Sequence, residues 1–210
     1  MADLKPETVA ALAKHRLIPV VSLPDAELAE PLGDALVAAG LPCVEITFRT
    51  PAAEKAIRIL SRRVDLFVAA GTVLHRDQAQ RAIDAGARCL LSPGTDPTLI
   101  QWCLANHVDI IPGVATPTDI LLAMRLGLST LKFFPAETMG GPSALRAIAG
   151  PFPGLRFIPT GGITSDNLGD YLALPNVLAC GGSWMVTQQL LEQRDFDGIR
   201  QRVTAALSLM

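Results

Sequence analysis

The feature that most constrains this chain is an alternation of two periodicities. Short apolar runs recur about every 20–25 residues, and the segments between them carry helical spacing. The runs are LIPVVS from Leu17, PCVEITF from Pro42, DLFVAAGT from Asp65, RCLLSPG from Arg88, VDIIPGV from Val108, TLKFFP from Thr130, LRFIPTGG from Leu155 and VLACGGS from Val177. A short helix from Pro6 to Lys14 precedes them. DAELAEPLGDALVAAG places Leu28, Leu32, Leu36 and Ala39 on one face and stops at Gly40, a helix-ending residue. TPAAEKAIRILSRR opens with a Thr-Pro pair suited to a helix start. HRDQAQRAIDAG, DPTLIQWCLANH, TPTDILLAMRLG, GPSALRAIAG and TSDNLGDYLAL complete the set.

Strands alternating with helices are parallel and joined by right-handed crossovers. Eight such units in 210 residues predict an α/β fold, a compact (β/α)8 TIM barrel with a short N-terminal helix. An open doubly wound sheet usually carries a GxGxxG turn after its first strand. Here SLPDAE follows that strand and contains no glycine. No linker or composition break divides residues 1–210, so one domain is expected.

Bulk properties exclude several functions. Eighteen basic against 20 acidic residues give a net charge of −2 with no run of one sign, which offers no footprint for nucleic acid or an anionic membrane. No stretch approaches the ~20 apolar residues of a membrane helix. The start, with Asp3 and no long apolar core, is unlike a secretory leader, so a cytoplasmic location is expected. Cys43, Cys89, Cys103 and Cys180 sit in apolar surroundings without a CxxC pair and read as buried free thiols. His15, His75 and His107 lack metal spacing such as HExxH, so no metal is expected.

Lys132 is the sharpest chemical signal. Of four lysines, Lys5, Lys14 and Lys55 lie in polar helical stretches, whereas Lys132 alone interrupts an apolar strand. Alternation puts Leu131 and Phe133 on one face and Lys132 and Phe134 on the other, pointing Lys132 into the barrel mouth. Desolvation penalises an ammonium ion, and a neutral amine can attack a carbonyl to form a Schiff base. A barrel lysine can equally pair with a carboxylate or bind phosphate, so the neighbouring strands must decide.

In the second strand Val44, Ile46 and Phe48 alternate with Glu45, Thr47 and Arg49. Parallel barrel strands have no solvent face, so three polar groups on one side imply a lined pocket. Glu45 suits acid–base work, and Arg49 offers a fork matched to a carboxylate. A purely structural ion pair of these residues with Lys132 is the competing reading. The small residues of AAGT, ending the third strand, leave room for a substrate, with Thr72 supplying a hydroxyl. Ser92-Pro93-Gly94 makes a rigid turn after the fourth. Thr160-Gly161-Gly162 and Gly181-Gly182-Ser183 end the last two strands, the frequent phosphate site of such barrels.

The ordered set VEITFRT, AGTVL, SPG, IPG, LKFFPAE, PTGGI and GGSW, between Leu17 and Trp184, resembles the 2-dehydro-3-deoxy-phosphogluconate aldolases, class I enzymes of the Entner–Doudoroff pathway. The resemblance implies that Lys132 forms the imine and Glu45 shuttles protons. Arg49 and Thr72 would hold the pyruvate carboxylate, with Pro93 and Phe134 shaping that pocket. Thr160, Gly161, Gly162, Gly182 and Ser183 would hold the phosphate. It further implies a homotrimer needing no metal or organic cofactor. The substrate would be a six-carbon keto-acid sugar phosphate split into pyruvate and glyceraldehyde 3-phosphate, with 4-hydroxy-2-oxoglutarate as a second substrate. Preference for the phosphogalactonate epimer and a non-enzymatic sugar-phosphate-binding barrel are the alternatives.

Overall fold

The computed structural model describes residues 4–210. Asp3, used above to argue against a leader, and the first three positions of the expected 1–210 domain lie outside the described residues. Every apolar run named above supplies strand: β1 Leu17–Val21, β2 Cys43–Thr47, β3 Phe67–Gly71, β4 Cys89–Leu91, β5 Ile110–Ile111, β6 Gly113–Val114, β7 Thr130–Phe133, β8 Arg156–Pro159 and β9 Cys180–Gly182. All pairings are parallel.

The strands form two parallel sheets rather than one ladder: a six-stranded sheet ordered β5-β4-β3-β2-β1-β9 and a three-stranded sheet ordered β6-β7-β8. The fifth run is divided between them. Pro112, which has no N–H to donate, separates β5, paired with β4, from β6, paired with β7. Its carbonyl still accepts the Lys132 amide at 2.8 Å. Between the other two edges, Leu178 N donates to Phe157 O at 2.9 Å, and Thr160 and Gly181 form an isolated bridge.

The helices between strands are α2 Ala29–Ala38, α3 Ala53–Leu60, α4 Arg76–Asp84, α5 Pro97–Ala105, α6 Pro117–Arg125, α7 Gly141–Ala149 and α8 Leu168–Leu172. Their starts follow local chemistry. Asp96 caps α5 through Thr98 N, and Thr116 with Asp119 closes a capping box on α6. The Thr50-Pro51 pair does not open α3 as expected. Thr50 Oγ1 instead donates to Leu23 O at 2.6 Å, tying the turn to the preceding loop, and the helix begins at Ala53. Two further helices, α9 Gln188–Glu192 and α10 Phe196–Leu207, follow β9, and α10 packs against α2. The buried apolar side chains form one contiguous cluster. Among the described residues no helix is long and apolar enough to cross a membrane.

The leading helix α1, Pro6–His15, is tied down from a distance. Its N-cap, Lys5, provides no side-chain cap. Buried Asp109, just ahead of β5, instead accepts the Lys5 amide at 3.2 Å and the Thr8 hydroxyl at 2.5 Å. The bonds pin α1 beside the N-terminal ends of the strands. Asp109→Ala leaves both donors without their acceptor and should cost about 1–3 kcal/mol in urea unfolding. Since the site lies at the opposite strand ends, substrate turnover by the folded fraction should stay unchanged.

Candidate active site

Lys132 and Glu45 come from different sheets and meet. Lys132 Nζ donates to Glu45 Oε1 at 3.0 Å. Both are enclosed, with 5% and 1% of their surfaces exposed. Their flanks explain the orientation: Leu131 and Phe133 are fully buried, so alternation turns Lys132 inward. Its ammonium nitrogen lies 5.6 Å from the Phe134 ring centre. The other carboxylate oxygen, Glu45 Oε2, is buried without a hydrogen-bond partner.

Gly71 makes this arrangement possible. A methyl group at that position would stand 2.0 Å from Glu45 Oε1. The room left by the small residues of AAGT is occupied by the Glu45 side chain itself. Thr72 follows with φ 55°, a left-handed conformation uncommon for a β-branched residue. Gly113, the register partner of Lys132, is similarly obligatory, because an added methyl would lie 2.1 Å from the Pro93 carbonyl. Thr72 and Pro93 thus adjoin the Lys132–Glu45 pair through their glycine neighbours.

A cavity of about 720 Å³ opens at the C-terminal ends of the strands. Arg49, Phe134, Thr160, Gly161, Gly162, Gly182 and Ser183 all line it, whereas Lys132, Glu45, Thr72 and Pro93 do not. Arg49 differs from its expected setting. β2 ends at Thr47, so Arg49 is an exposed turn residue at the rim, not the third polar group of a buried face. It forms no ion pair or side-chain hydrogen bond among the described residues, which leaves its guanidinium available. Thr47 has a structural part, accepting from Ser22 Oγ at 2.7 Å and donating to Val21 O at 3.2 Å. Gly161 and Gly162 adopt φ 101° and 80°, a region that L side chains rarely enter. Gly182 lies under the Trp184 indole, which would collide with any side chain there.

Ser22, Trp184 and Leu191 also wall the cavity, without a motif that marks them as such. The nearest to a local signal is Trp184, an aromatic directly after a Gly-Gly-Ser strand end. Leu191 lies on α9, for which no helix had been read.

All four thiols are buried and free. Burial pushes Cys43, Cys103 and Cys180 up to about 12 and Cys89 well above the usual thiol range. A nucleophilic thiolate is disfavoured at each. Among the described residues no group of three or more His, Cys, Asp or Glu side chains could hold a metal ion.

Comparison with known proteins gives the family. The model of the KDPG and KHG aldolase family matches residues 9–202. The chain belongs to this family. It is an aldolase, and hence a carbon–carbon lyase. The 2-dehydro-3-deoxy-phosphogluconate aldolase of Treponema pallidum (strain Nichols) is 47% identical over 190 residues, 90% of each chain. The KHG/KDPG aldolase of Escherichia coli (strain K12) is 41% identical over 208 residues, 99% of this chain and 98% of that one. Among solved structures, the KDPG aldolase of Legionella pneumophila superposes with a TM-score of 0.91 at 38% identity, covering 94% of this chain and 97% of that one. That structure holds pyruvate captured at low pH as a covalent carbinolamine intermediate.

The tight approach at Gly71 yields a test of the aldolase geometry. Gly71→Ala must push the Glu45 carboxylate off Lys132, and kcat/KM should fall at least about 100-fold. Circular dichroism and thermal unfolding should report a folded protein.

Proposed function

We propose that this aldolase cleaves 2-dehydro-3-deoxy-6-phosphogluconate to pyruvate and glyceraldehyde 3-phosphate through an imine on Lys132, and that it also splits 4-hydroxy-2-oxoglutarate to pyruvate and glyoxylate. The observation that carries the reading is the 3.0 Å contact between Lys132 Nζ and Glu45, with Glu45 Oε2 left unpartnered. Glu45 takes a proton from the amine, and Lys132 Nζ attacks the C2 carbonyl. Glu45 returns that proton to the departing hydroxyl, and loss of water leaves a protonated imine with Glu45 again a carboxylate. Glu45 then removes the C4 hydroxyl proton, the C3–C4 bond breaks, and its electron pair flows into the imine to give an enamine and the released aldehyde. Protonation at C3 and hydrolysis return pyruvate and the free amine.

Arg49 anchors the substrate carboxylate by a charge-assisted fork, helped by Thr72, while Pro93 and Phe134 shape the pyruvate end. The distal phosphate is held by Thr160, Gly161, Gly162, Gly182 and Ser183, which line one cavity with Arg49. Anchors at both ends hold the scissile bond beside the amine, and such positioning accounts for a large part of the rate. Direct attachment of the carbonyl carbon to the protein gives the reaction its electron sink, with no organic cofactor required.

For the scaffold, the finer reading is one domain in which the two sheets close into a (β/α)8 barrel. Support comes from the fifth run, which bonds β4 on one side and β7 on the other, and from the Phe157–Leu178 and Thr160–Gly181 links between β8 and β9. A Lys132–Glu45 contact between sheets also favours closure. The working form is a cytoplasmic homotrimer. Four buried free thiols fit a reducing compartment, and light scattering on the eluted protein reads the oligomer.

Borohydride reduction in the presence of pyruvate should leave one reduced pyruvyl adduct on Lys132, located by peptide mass spectrometry. Folded protein that stays unmodified at Lys132 would refute the imine. Glu45→Gln should lower kcat by about 10²–10⁴-fold while pyruvate still binds. An unchanged kcat would remove Glu45 from the proton transfers.

A further inference from the structure

The phosphate end of the cavity is built from backbone, and backbone must be held in place by something. Gly161 and Gly162 have positive φ and no side chains of their own to lock the turn. On one side, Asn167 Nδ2 donates to Gly162 O at 3.1 Å, and Asn167 Oδ1 accepts Thr164 N at 2.8 Å. On the other side lies Glu137, whose amide donates to Gly161 O at 3.0 Å. The Glu137 side chain packs so closely on Gly162 that an added methyl there would meet its Cβ at 2.6 Å.

A carboxylate against a phosphate subsite repels the ligand unless it is turned away and held. Glu137 does not line the cavity. Its Oε1 instead accepts the hydroxyl of Tyr171, the only tyrosine of the chain, which is fully buried on α8. Burial, and then the bond to Glu137, push the Tyr171 hydroxyl far above its ordinary range, so it remains a donor throughout neutral and alkaline pH. The carboxylate is thereby fixed toward α8, and the chain carrying it presses the glycine turn into shape.

We propose that Tyr171 and Glu137 are a positioning pair that sets the Gly161–Gly162 turn and holds a negative charge away from the substrate phosphate. The inference rests on the phosphate reading given above. Neither residue touches the reacting atoms, so the pair acts on the affinity of phosphorylated ligands and not on the chemical step.

The test is Tyr171→Phe, which removes one oxygen and keeps the buried ring. KM for 2-dehydro-3-deoxy-6-phosphogluconate should rise about five- to tenfold with kcat within about twofold of wild type. The competitive Ki of glycerol 3-phosphate should weaken in the same ratio, and the Ki of pyruvate, which has no phosphate, should not move. Glu137→Gln still accepts the hydroxyl and should keep wild-type constants to within about twofold, whereas Glu137→Ala, which removes the carboxylate and its charge together, should weaken phosphorylated ligands by less than Tyr171→Phe. Equal losses for glycerol 3-phosphate and pyruvate would reduce the pair to a general structural role and overturn the proposal. If glycerol 3-phosphate competes equally with wild type and Tyr171→Phe, the positioning role fails alone. If it does not compete with wild type at all, the phosphate subsite falls and takes this inference with it.

Discussion

The rest of the site depends on one buried contact, that between Lys132 and Glu45. Removing both charges from water carries a desolvation penalty that a well-packed apolar pair would avoid, often with equal or greater stability. A buried ion pair is therefore poor evidence for a stabilising role and better evidence for chemistry. Here one carboxylate oxygen accepts the buried amine.

That contact sets demands on residues that carry no functional group. Gly71 yields the volume into which Glu45 extends, and Gly113 lets the β4 end close up beside the strand that pairs with Lys132. Gly181 allows Thr160 to sit against the neighbouring strand, where a methyl would stand 2.5 Å from its hydroxyl. The glycines of this chain thus do two separate jobs. Gly161 and Gly162 supply backbone conformations, while Gly71, Gly113 and Gly181 supply space. Only the first use is recognisable from a Gly-Gly turn.

Legibility in the sequence follows the same division. The order of strands and helices was readable because apolar runs and helical spacing are local properties, and Lys132 stood out because a charge in an apolar strand has a local cost. Glu45 could be placed on the inner face by alternation alone. Arg49 was carried too far by that argument, since a period-two pattern continues through a turn that has already ended the strand at Thr47. The break at Pro112 was visible as a proline, yet its effect depends on which neighbour each half bonds. Asp109, Tyr171 and Glu137 were out of reach. Their partners lie 34 to 104 residues away, and no local rule connects them.

The two ends of the strands divide stability from chemistry. At the N-terminal ends, Asp109 satisfies the start of a helix contributed by a segment about a hundred residues earlier, and no free acceptor results. At the C-terminal ends, Thr72 has a left-handed backbone, Arg49 has a guanidinium without a partner, and Glu45 has an oxygen without a donor. Each is a local cost that the packed strands beneath can bear. A carboxylate ligand would satisfy Arg49, and a hydroxyl would satisfy Glu45. The ligand that does both must carry an acid group at one end and a hydroxyl a few bonds away, with a carbonyl between them facing Lys132. In the proposed reading, Arg49, Glu45 and Lys132 together describe a 2-keto-4-hydroxy acid.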